Sequence, residues 1–295
     1  MSEPIIILDE LTKCYGKHRG IEHISYSVNR GEVFGFIGPN GAGKSTTIRT
    51  LMGLLKPTGG NASIFGLDCS REAARIAKDV GYLPSENCYY NNMTVKEMLL
   101  YTAELYGVNS QSRMNILAER LNLDLSRWIG DLSLGNKKKV GIVSALLPSP
   151  KLLIMDEPTS GLDPLIQQTF YDLLKEENKS GTTIFLSSHV LSEVQRLCDR
   201  VAILREGKLV GVQSMKTLRE NGYKKISLTA KSPIPEKFFS FPGTANYEQN
   251  TEKTSASFMF NGNTMTIMEK LHQLDLEDIL IEEPSLEEIF LHYYE

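Results

Sequence analysis

Short apolar runs, separated by longer amphipathic segments, dominate the pattern of this chain. Residues 33–37 and 152–155 are apolar throughout, which is typical of strands buried on both faces of a parallel sheet. Strands alternating with helices of ten or more residues favour an α/β fold with a mostly parallel sheet and right-handed crossovers. Ligands of such folds bind beyond the carboxyl ends of the strands. Further strands are predicted at 62–66, 80–83, 183–189, 201–204 and 209–210, with a helix at about 71–78.

Two stretches break this alternation. Residues 5–35, with period-two alternation and a turn at 29–32, predict an N-terminal antiparallel β-subdomain. Residues from about 88 to 149 have a helical pattern, and Thr94 with Glu97 forms the capping box of a first helix. This block predicts a helical subdomain inserted into the core, with a second helix at 113–121. The apolar stripe predicted for the first helix comprises Met98, Leu99, Tyr101, Leu105 and Tyr106.

The composition changes again after about residue 220. Alternating runs and prolines there predict a small α+β domain at 219–295, after a main domain at 1–218. No catalytic arrangement is found in this smaller domain. Its predicted elements are strands at 226–229, 256–260 and 279–281, a helix at 264–274, and a last helix opened by a capping box at 285–288.

Composition narrows the classes of function. The 295 residues carry 41% hydrophobic and 23% charged side chains, as in ordinary globular proteins, and a formal net charge of -4. The absence of a basic tail or stripe disfavours nucleic acid as a partner. The compact cluster Lys137, Lys138 and Lys139 predicts a solvated helix face. The four cysteines lack metal-ligand spacing and predict reduced, mostly buried thiols. No apolar run is long enough to span a membrane, so other chains are expected to supply any membrane part.

The segment 38–45 carries the candidate chemistry. It reads G-x-x-x-x-G-K-S, the phosphate-binding loop, and it follows a predicted strand and precedes a predicted helix. The competing interpretation, a glycine-rich turn, does not account for that context. Lys44 is expected to reach the β- and γ-phosphates of a nucleotide, and Ser45 to bind Mg²⁺. The predicted nucleotide-binding residues are Gly38, Pro39, Asn40, Gly41, Ala42, Gly43, Lys44, Ser45 and Thr46.

Polar residues at the ends of two other strands supply candidate catalytic groups. Asp156 and Glu157 follow an apolar strand, so one carboxylate can hold Mg²⁺ and the other can act as general base on water. His189, at another strand end, can orient the γ-phosphate or simply be structural. Tyr15 can stack on a purine base or pack within its strand, and spacing alone leaves both open.

A five-residue segment that precedes Asp156 in the chain resembles a family signature. Leu132, Ser133, Leu134, Gly135 and Asn136 resemble the LSGGQ signature of ABC-type ATPases. Residues 153–163 resemble the Walker B motif and D-loop of that family, ending in Asp163. His189 matches the family's switch histidine, and Tyr15 matches the aromatic that stacks on adenine. The resemblance covers about residues 4–215 and is strongest to the separate ATPase subunits of bacterial exporters. Residues 283–290 also resemble the C-terminal extension of that subgroup.

The resemblance implies a P-loop NTPase core that binds and hydrolyses ATP with Mg²⁺. It also implies a head-to-tail dimer, homodimeric or with a close paralogue, in which residues 132–136 contact the ATP of the second subunit. Lys44, Glu157 and His189 would be catalytic, and Ser45 and Asp156 would bind the metal. Membrane permease subunits, separate chains, would dock near residues 82–95 and hold the protein at the cytoplasmic face of the membrane.

Two departures from the family pattern stand out. Ser85, followed by Glu86, occupies the position of the Q-loop glutamine, so a metal contact by either side chain is an open expectation. Leu134 and Asn136 replace a glycine and a glutamine of the signature.

Two other classes remain to be weighed. One alternative is an ABC-type ATPase acting on a ribosome or on DNA. The single signature, the acidic charge balance and the lack of heptads or zinc spacing disfavour it. A different P-loop enzyme, such as a kinase, is disfavoured by the signature that precedes Asp156.

Overall fold

The chain divides into two compact units. The structure, a computed structural model, describes residues 3–16, 18–86, 88–109, 111–220, 223–235 and 238–284. The first unit is Met1–Ser214 and the second is Met215–Glu295. The division at 214/215 lies close to the boundary at 218/219 drawn from composition.

The first unit contains ten strands and seven helices among its described residues. In chain order they are β1 (Pro4–Tyr15), β2 (His18–Asn29), β3 (Val33–Ile37), α1 (Lys44–Leu51), β4 (Gly59–Ile64), β5 (Leu67–Asp68), α2 (Ala73–Ala77), β6 (Val80–Leu83), α3 (Val95–Leu105), α4 (Gln111–Arg120), α5 (Leu134–Leu146), β7 (Leu152–Asp156), α6 (Pro164–Lys179), β8 (Thr183–Ser188), α7 (Leu191–Leu197), β9 (Arg200–Arg205) and β10 (Lys208–Ser214). A short 3₁₀ turn covers Ile129–Asp131.

A central sheet brings the candidate chemistry together. Its strand order is β10-β9-β3-β8-β7-β6, and every neighbouring pair is parallel except β10 with β9. All residues of β3 and β7 are buried, as their apolar runs predict. Because β3, β8 and β7 are adjacent and parallel, the residues that follow them meet at one edge of the sheet.

The antiparallel subdomain forms a second sheet of order β2-β1-β4-β5. Strand β1 pairs antiparallel with both β2 and β4. The prediction that residues 33–35 belong to this subdomain is wrong, because they pair in parallel with β8 and β9. The core of this sheet is continuous with β3 and includes Ile6, Ile24 and Phe34, each fully buried.

The predicted helical subdomain comprises α3, α4 and α5. Thr94 caps α3 as predicted, since its hydroxyl accepts from Glu97 N at 3.2 Å and Glu97 Oε2 accepts from Thr94 N at 2.7 Å. The predicted apolar stripe holds only in part: Leu99 is buried and Met98 and Tyr106 are half-buried, but Leu105 is 69% exposed and Tyr101 is 38% exposed. The buried face is shifted around the helix axis and consists of Val95, Leu99, Thr102 and Ala103.

Two of the three clustered lysines are buried, so the predicted solvated face on α5 is wrong. Lys138 is 4% exposed and Lys139 is 9% exposed. Their Nζ atoms donate to the backbone carbonyl groups of Ser85 and Asn122, contacts that charge clustering alone does not reveal.

The second unit is a four-stranded antiparallel sheet with helices. Its elements are α8 (Met215–Glu220), β11 (Lys224–Ala230), β12 (Thr244–Gln249), β13 (Ser255–Phe260), α9 (Thr264–Leu271) and β14 (Leu276–Glu282). The strand order is β12-β13-β11-β14, and Ile267 and Leu271 of α9 belong to its buried core. Sequence analysis missed β12 and extended α9 by three residues. The predicted last helix, opened at 285–288, lies outside the described residues.

Two further features concern the part of the chain that the structure describes, the length of its apolar helices and the state of its cysteines. Within the described ranges, no helix is both long and apolar enough to cross a membrane. All four cysteines are free; Cys69 and Cys198 are buried, Cys14 is half-buried and Cys88 is exposed. The predicted burial therefore holds for two of them.

Candidate functional site

The loop 38–45 connects β3 to α1 and is shaped by its glycines. Gly43 caps α1 with φ 106°, a left-handed conformation that favours glycine. A Cβ at Gly38 would lie 2.3 Å from Leu204 O, so the loop can pass β9 only because that atom is missing. The backbone N–H groups that open α1 can therefore converge on an anion.

Lys44 is the buried cation of this loop. The residue is 5% exposed, and Nζ donates to Gly38 O at 2.7 Å and to Pro39 O at 3.4 Å. The ammonium also lies 3.3 Å from Glu157 Oε1. A phosphate oxygen placed over the loop would find the charge already held in position by backbone.

Glu157 connects the loop to His189. The Nδ1 atom of His189 lies 2.7 Å from Glu157 Oε2, so a proton on Nδ1 would be donated to the carboxylate. Glu157 has φ 50°, and its N–H donates to Ser187 O at 3.2 Å on the neighbouring β8. The unusual backbone turns the side chain toward the loop. The three residues predicted to be catalytic, Lys44, Glu157 and His189, thus form one chain of polar contacts.

Asp156 ends β7 and is almost completely buried, at 1% exposure. Its Oδ1 accepts from Ser187 Oγ at 2.5 Å. Ser45, at the start of α1, supplies a hydroxyl at the same edge of the sheet. A hydroxyl and a carboxylate are oxygen ligands of the kind Mg²⁺ prefers, so this donor set fits that ion.

A pocket of about 250 Å³ lies over the loop. Tyr15, 44% exposed, lies at this pocket with its hydroxyl 3.5 Å from Thr46 Oγ1 and with Lys13 Nζ 5.5 Å from its ring centroid. An exposed ring in this place is able to stack on a base. Larger clefts, of about 520 and 490 Å³, lie elsewhere and include none of the predicted site residues. The pocket of about 250 Å³ over the loop is lined by Tyr15, Gly20, Asn40, Gly41, Ala42, Gly43, Lys44, Ser45, Thr46 and Glu157.

Residues 132–136 do not line that pocket. Ser133 caps α5, its hydroxyl accepting from Asn136 N, while Leu132 is buried and Leu134 is 75% exposed. A Cβ on Gly135 would lie 2.7 Å from Gly161 O, so the segment packs directly against the loop that precedes α6.

The remaining predicted residues have backbone roles in the structure. Asp163 caps α6, since its Oδ1 accepts from Ile166 N at 3.0 Å. Ser85 is half-buried, Glu86 is exposed, and neither lines the pocket. The carbonyl oxygen of Ser85 accepts from Lys138 Nζ at 3.3 Å.

Sequence analysis missed Glu193, a buried carboxylate on α7 that is 6% exposed. It accepts from Thr159 Oγ1 and, at 2.9 Å, from Ser188 Oγ, so it joins the loop after Glu157 to the residue before His189. Burial of Tyr171 is the largest cause that raises the pKa of this residue, and the charge of Glu193 raises it further. The available signal was a glutamate next to the apolar Val194 on the short helix that follows His189.

Comparison with known proteins decides the family. The family model described as ABC transporter matches residues 21–160. The bacitracin transport ATP-binding protein BcrA of Bacillus licheniformis is 41% identical over 212 residues, covering 70% of this chain and 68% of that protein. The linearmycin resistance ATP-binding protein LnrL of Bacillus subtilis is 33% identical over 300 residues, covering 96% of each. The chain belongs to the ABC transporter family.

A solved structure agrees with this assignment. The ATP-binding subunit of an ABC transporter matches with a TM-score of 0.69 and 33% identity, over 73% of this chain and 92% of that one. The predicted fold class, a P-loop NTPase core with an antiparallel β-subdomain, is confirmed. This ABC protein is an ATP-binding subunit of a transporter, and it is an ATPase.

Proposed function

We propose that this chain powers an exporter by closing a dimer on ATP and opening it after hydrolysis. The observation that carries the proposal is the arrangement of Lys44, Glu157 and His189 at the ends of three adjacent parallel strands. The names of two relatives, for bacitracin transport and linearmycin resistance, support export as the direction of transport.

The residues of one chain divide the work at the γ-phosphate. Lys44 and the N–H groups of the loop bind the phosphates, and Tyr15 stacks on adenine. Glu157 accepts a proton from the attacking water at its carboxylate, which is typically worth about 10²- to 10⁴-fold in rate. His189, bound to Glu157 through Nδ1, orients that carboxylate and the γ-phosphate.

Ser45 and Asp156 would hold Mg²⁺, one through its hydroxyl and the other directly or through water. Held by these two residues, Mg²⁺ would supply positive charge that offsets the charge developing on the phosphates. The side chain of Ser85 remains a candidate for an outer contact, with Glu86 as the other possibility at this position.

The second half of each site comes from a second ATPase subunit, another copy or a close paralogue. Residues 132–136 open α5, where N–H groups and the positive end of the helix dipole suit a phosphate. They do not line the pocket of their own chain, which supports a role at the ATP of the second subunit. Asp163, in the adjoining D-loop, lies close to the same interface in this arrangement.

Separate transmembrane permease subunits would complete the transporter. They hold this chain at the cytoplasmic face of the membrane, docked near residues 82–95, and no nucleic acid takes part. The unit Met215–Glu295 is an accessory domain in this arrangement.

The test is the Glu157→Gln variant. We expect it to bind ATP, to lose hydrolysis by about 10²- to 10⁴-fold, and to form an ATP-dependent dimer. Phosphate release and light scattering with Mg-ATP measure these effects. Glu72→Gln, at an exposed pair with Arg75, is the matched control and should hydrolyse ATP normally. Rapid hydrolysis by Glu157→Gln would show that the base is another residue.

A further inference from the structure

Lys138 is a buried ammonium that the predicted chemistry does not use. It lies on α5, five residues after the cap Ser133, and is 4% exposed. Burying a lysine is costly unless its charge is compensated, so the groups around it indicate why it is there.

Two of those groups belong to the loop after β6. Lys138 Nζ donates to Pro84 O at 3.4 Å and to Ser85 O at 3.3 Å. Pro84 and Ser85 stand where the family resemblance expects the glutamine-bearing Q-loop. The ammonium therefore holds the backbone of the segment in which Ser85 stands in place of the family's glutamine. The Lys138 ammonium has three N–H donors, and the two carbonyl groups accept from two of them. Among the described residues, this leaves one donor for a further acceptor.

The other groups are the two carboxylates at the end of β7. Burial lowers the pKa of Lys138, and the charges of Asp156 and Glu157 oppose that shift. Both carboxylates thus act on the ammonium, and with Lys44, whose Nζ lies 3.3 Å from Glu157 Oε1, the site contains two cations and two anions. The register of β6 with β7 pairs Leu83 with Met155, so the loop 84–85 begins beside Asp156 and Glu157, and Lys138 binds its carbonyl groups there.

The same helix carries the signature segment at its start. At 1.5 Å per residue, Lys138 lies about 7.5 Å along α5 from Ser133, within one rigid helical segment. A displacement of residues 132–136 is thus passed directly to the Lys138 ammonium and to the loop it holds.

We propose that Lys138 is a positioning residue that replaces the missing glutamine as the link between the loop 84–85 and the Asp156–Glu157 carboxylates. Because it is carried on α5, it couples the contact that the signature makes with one nucleotide to the metal and water of its own chain's site. This inference rests on the proposed function, since it assigns the residue a part in that reaction.

A purely structural lysine would behave differently. If Lys138 only satisfies two carbonyl groups, its loss reduces stability and leaves the chemistry of the folded protein unchanged. Lys139 provides the comparison, because it is also buried on α5 and its Nζ donates to Asn122 O at 3.5 Å, in the helical subdomain.

The test compares Lys138→Met with Lys139→Met, each removing one buried charge from the same helix. We expect Lys138→Met to lower kcat and to raise the Mg²⁺ concentration for half-maximal activity, each by about 10- to 100-fold, as for residues that orient metal ligands. The KM for ATP should change less than about threefold, because the phosphate-binding loop is intact. Lys139→Met should leave kcat within about threefold of the native value, since its partner lies away from the carboxylates.

Two further measurements keep the proposal falsifiable. Lys138→Gln retains N–H donors without the charge and should remain impaired in kcat even where thermal unfolding shows normal stability. The Mg²⁺ dependence of binding of a fluorescent ATP analogue needs no turnover, so it tests Lys138 even if the native chain fails to hydrolyse ATP and the proposed function falls. Equal Mg²⁺ dependence in the two methionine variants would overturn the inference.

Discussion

The position of the Lys44 ammonium at the phosphate-binding loop is set by backbone carbonyl groups as well as by a neighbouring side chain. Lys44 Nζ is bound by Gly38 O while it faces Glu157, so its position is set before a phosphate arrives. Such pre-positioned cations lose little freedom when they bind an anion, which favours affinity.

The Lys44→Ala variant should lose nucleotide affinity. Removing a charge-assisted contact of about 1.5–3 kcal/mol predicts a rise in Kd of about 10- to 150-fold. Titration with a fluorescent ATP analogue measures it. Lys151→Ala, which removes an exposed pair with Asp79, should leave Kd unchanged, and an unaltered Kd in Lys44→Ala would count against the assigned loop.

The positions of the candidate site residues were predictable where a motif fixes their local order. The loop 38–45 and the pair Asp156–Glu157 could be located because their motifs specify strand and helix neighbours. Lys138 and Glu193 could not, because their burial depends on which segments pack over them, and a single lysine or glutamate carries no such information.

Among the elements, α7 and the loop before α6 are joined by one carboxylate. Glu193 receives hydroxyl donors from Thr159 and Ser188, on two segments that flank Glu157 and His189. The network thereby fixes two segments that are distant in sequence.

Glu193→Ala should destabilise the protein by about 2–4 kcal/mol, because two buried hydroxyl groups lose their acceptor. Urea unfolding with a constant m-value checks this. Glu193→Gln keeps one carbonyl acceptor and should cost clearly less. Equal stability of the alanine variant and the native protein would mean that the network contributes nothing.

The capping box of α3 makes stability depend on pH. The backbone N–H and the hydroxyl of Thr94 lower the pKa of Glu97. A lowered folded pKa gives stability that is complete above the unfolded pKa and is lost as the pH falls through the folded pKa. Glu97→Gln should flatten this acid limb in urea midpoints measured between about pH 3 and 6. Glu104→Gln, outside the box on the same helix, should keep the native slope.

Whether a segment forms a helix or a strand was predicted better than which face of a helix is buried. Capping residues are local and marked the start of α3 correctly, whereas its predicted buried face was only partly right, because Leu99 is buried but Leu105 and Tyr101 stay exposed. Which apolar residues a helix buries is decided by its neighbours in space.

At the scale of the whole molecule, the first unit has two sheets and the second has one, and each unit has its own buried core. Alternation of strands and helices was enough to predict the parallel sheet, because right-handed crossovers leave few topologies. The order of β11 to β14 was beyond prediction, since short antiparallel strands can pair in many ways.

A chain ending at Ser214 should therefore fold and bind ATP. We expect its Kd for a fluorescent analogue to stay within about threefold of the full chain, as for an independent domain. A chain ending at Asp199 lacks β9, the parallel neighbour of β3, and should not fold. Loss of nucleotide binding in the longer truncation would show that the two units are not independent.

The contact between Lys44 and Glu157 has a thermodynamic consequence for affinity. The ammonium already has an internal counter-ion, so an arriving γ-phosphate must displace that carboxylate, and the measured affinity is a difference between two rival anions. Neutralising the rival removes this competition. Glu157→Gln should therefore bind ATP more tightly than the native protein in measurements too brief for hydrolysis. High salt should diminish this advantage only slightly, because Lys44 is buried and the Glu157 side chain is 18% exposed.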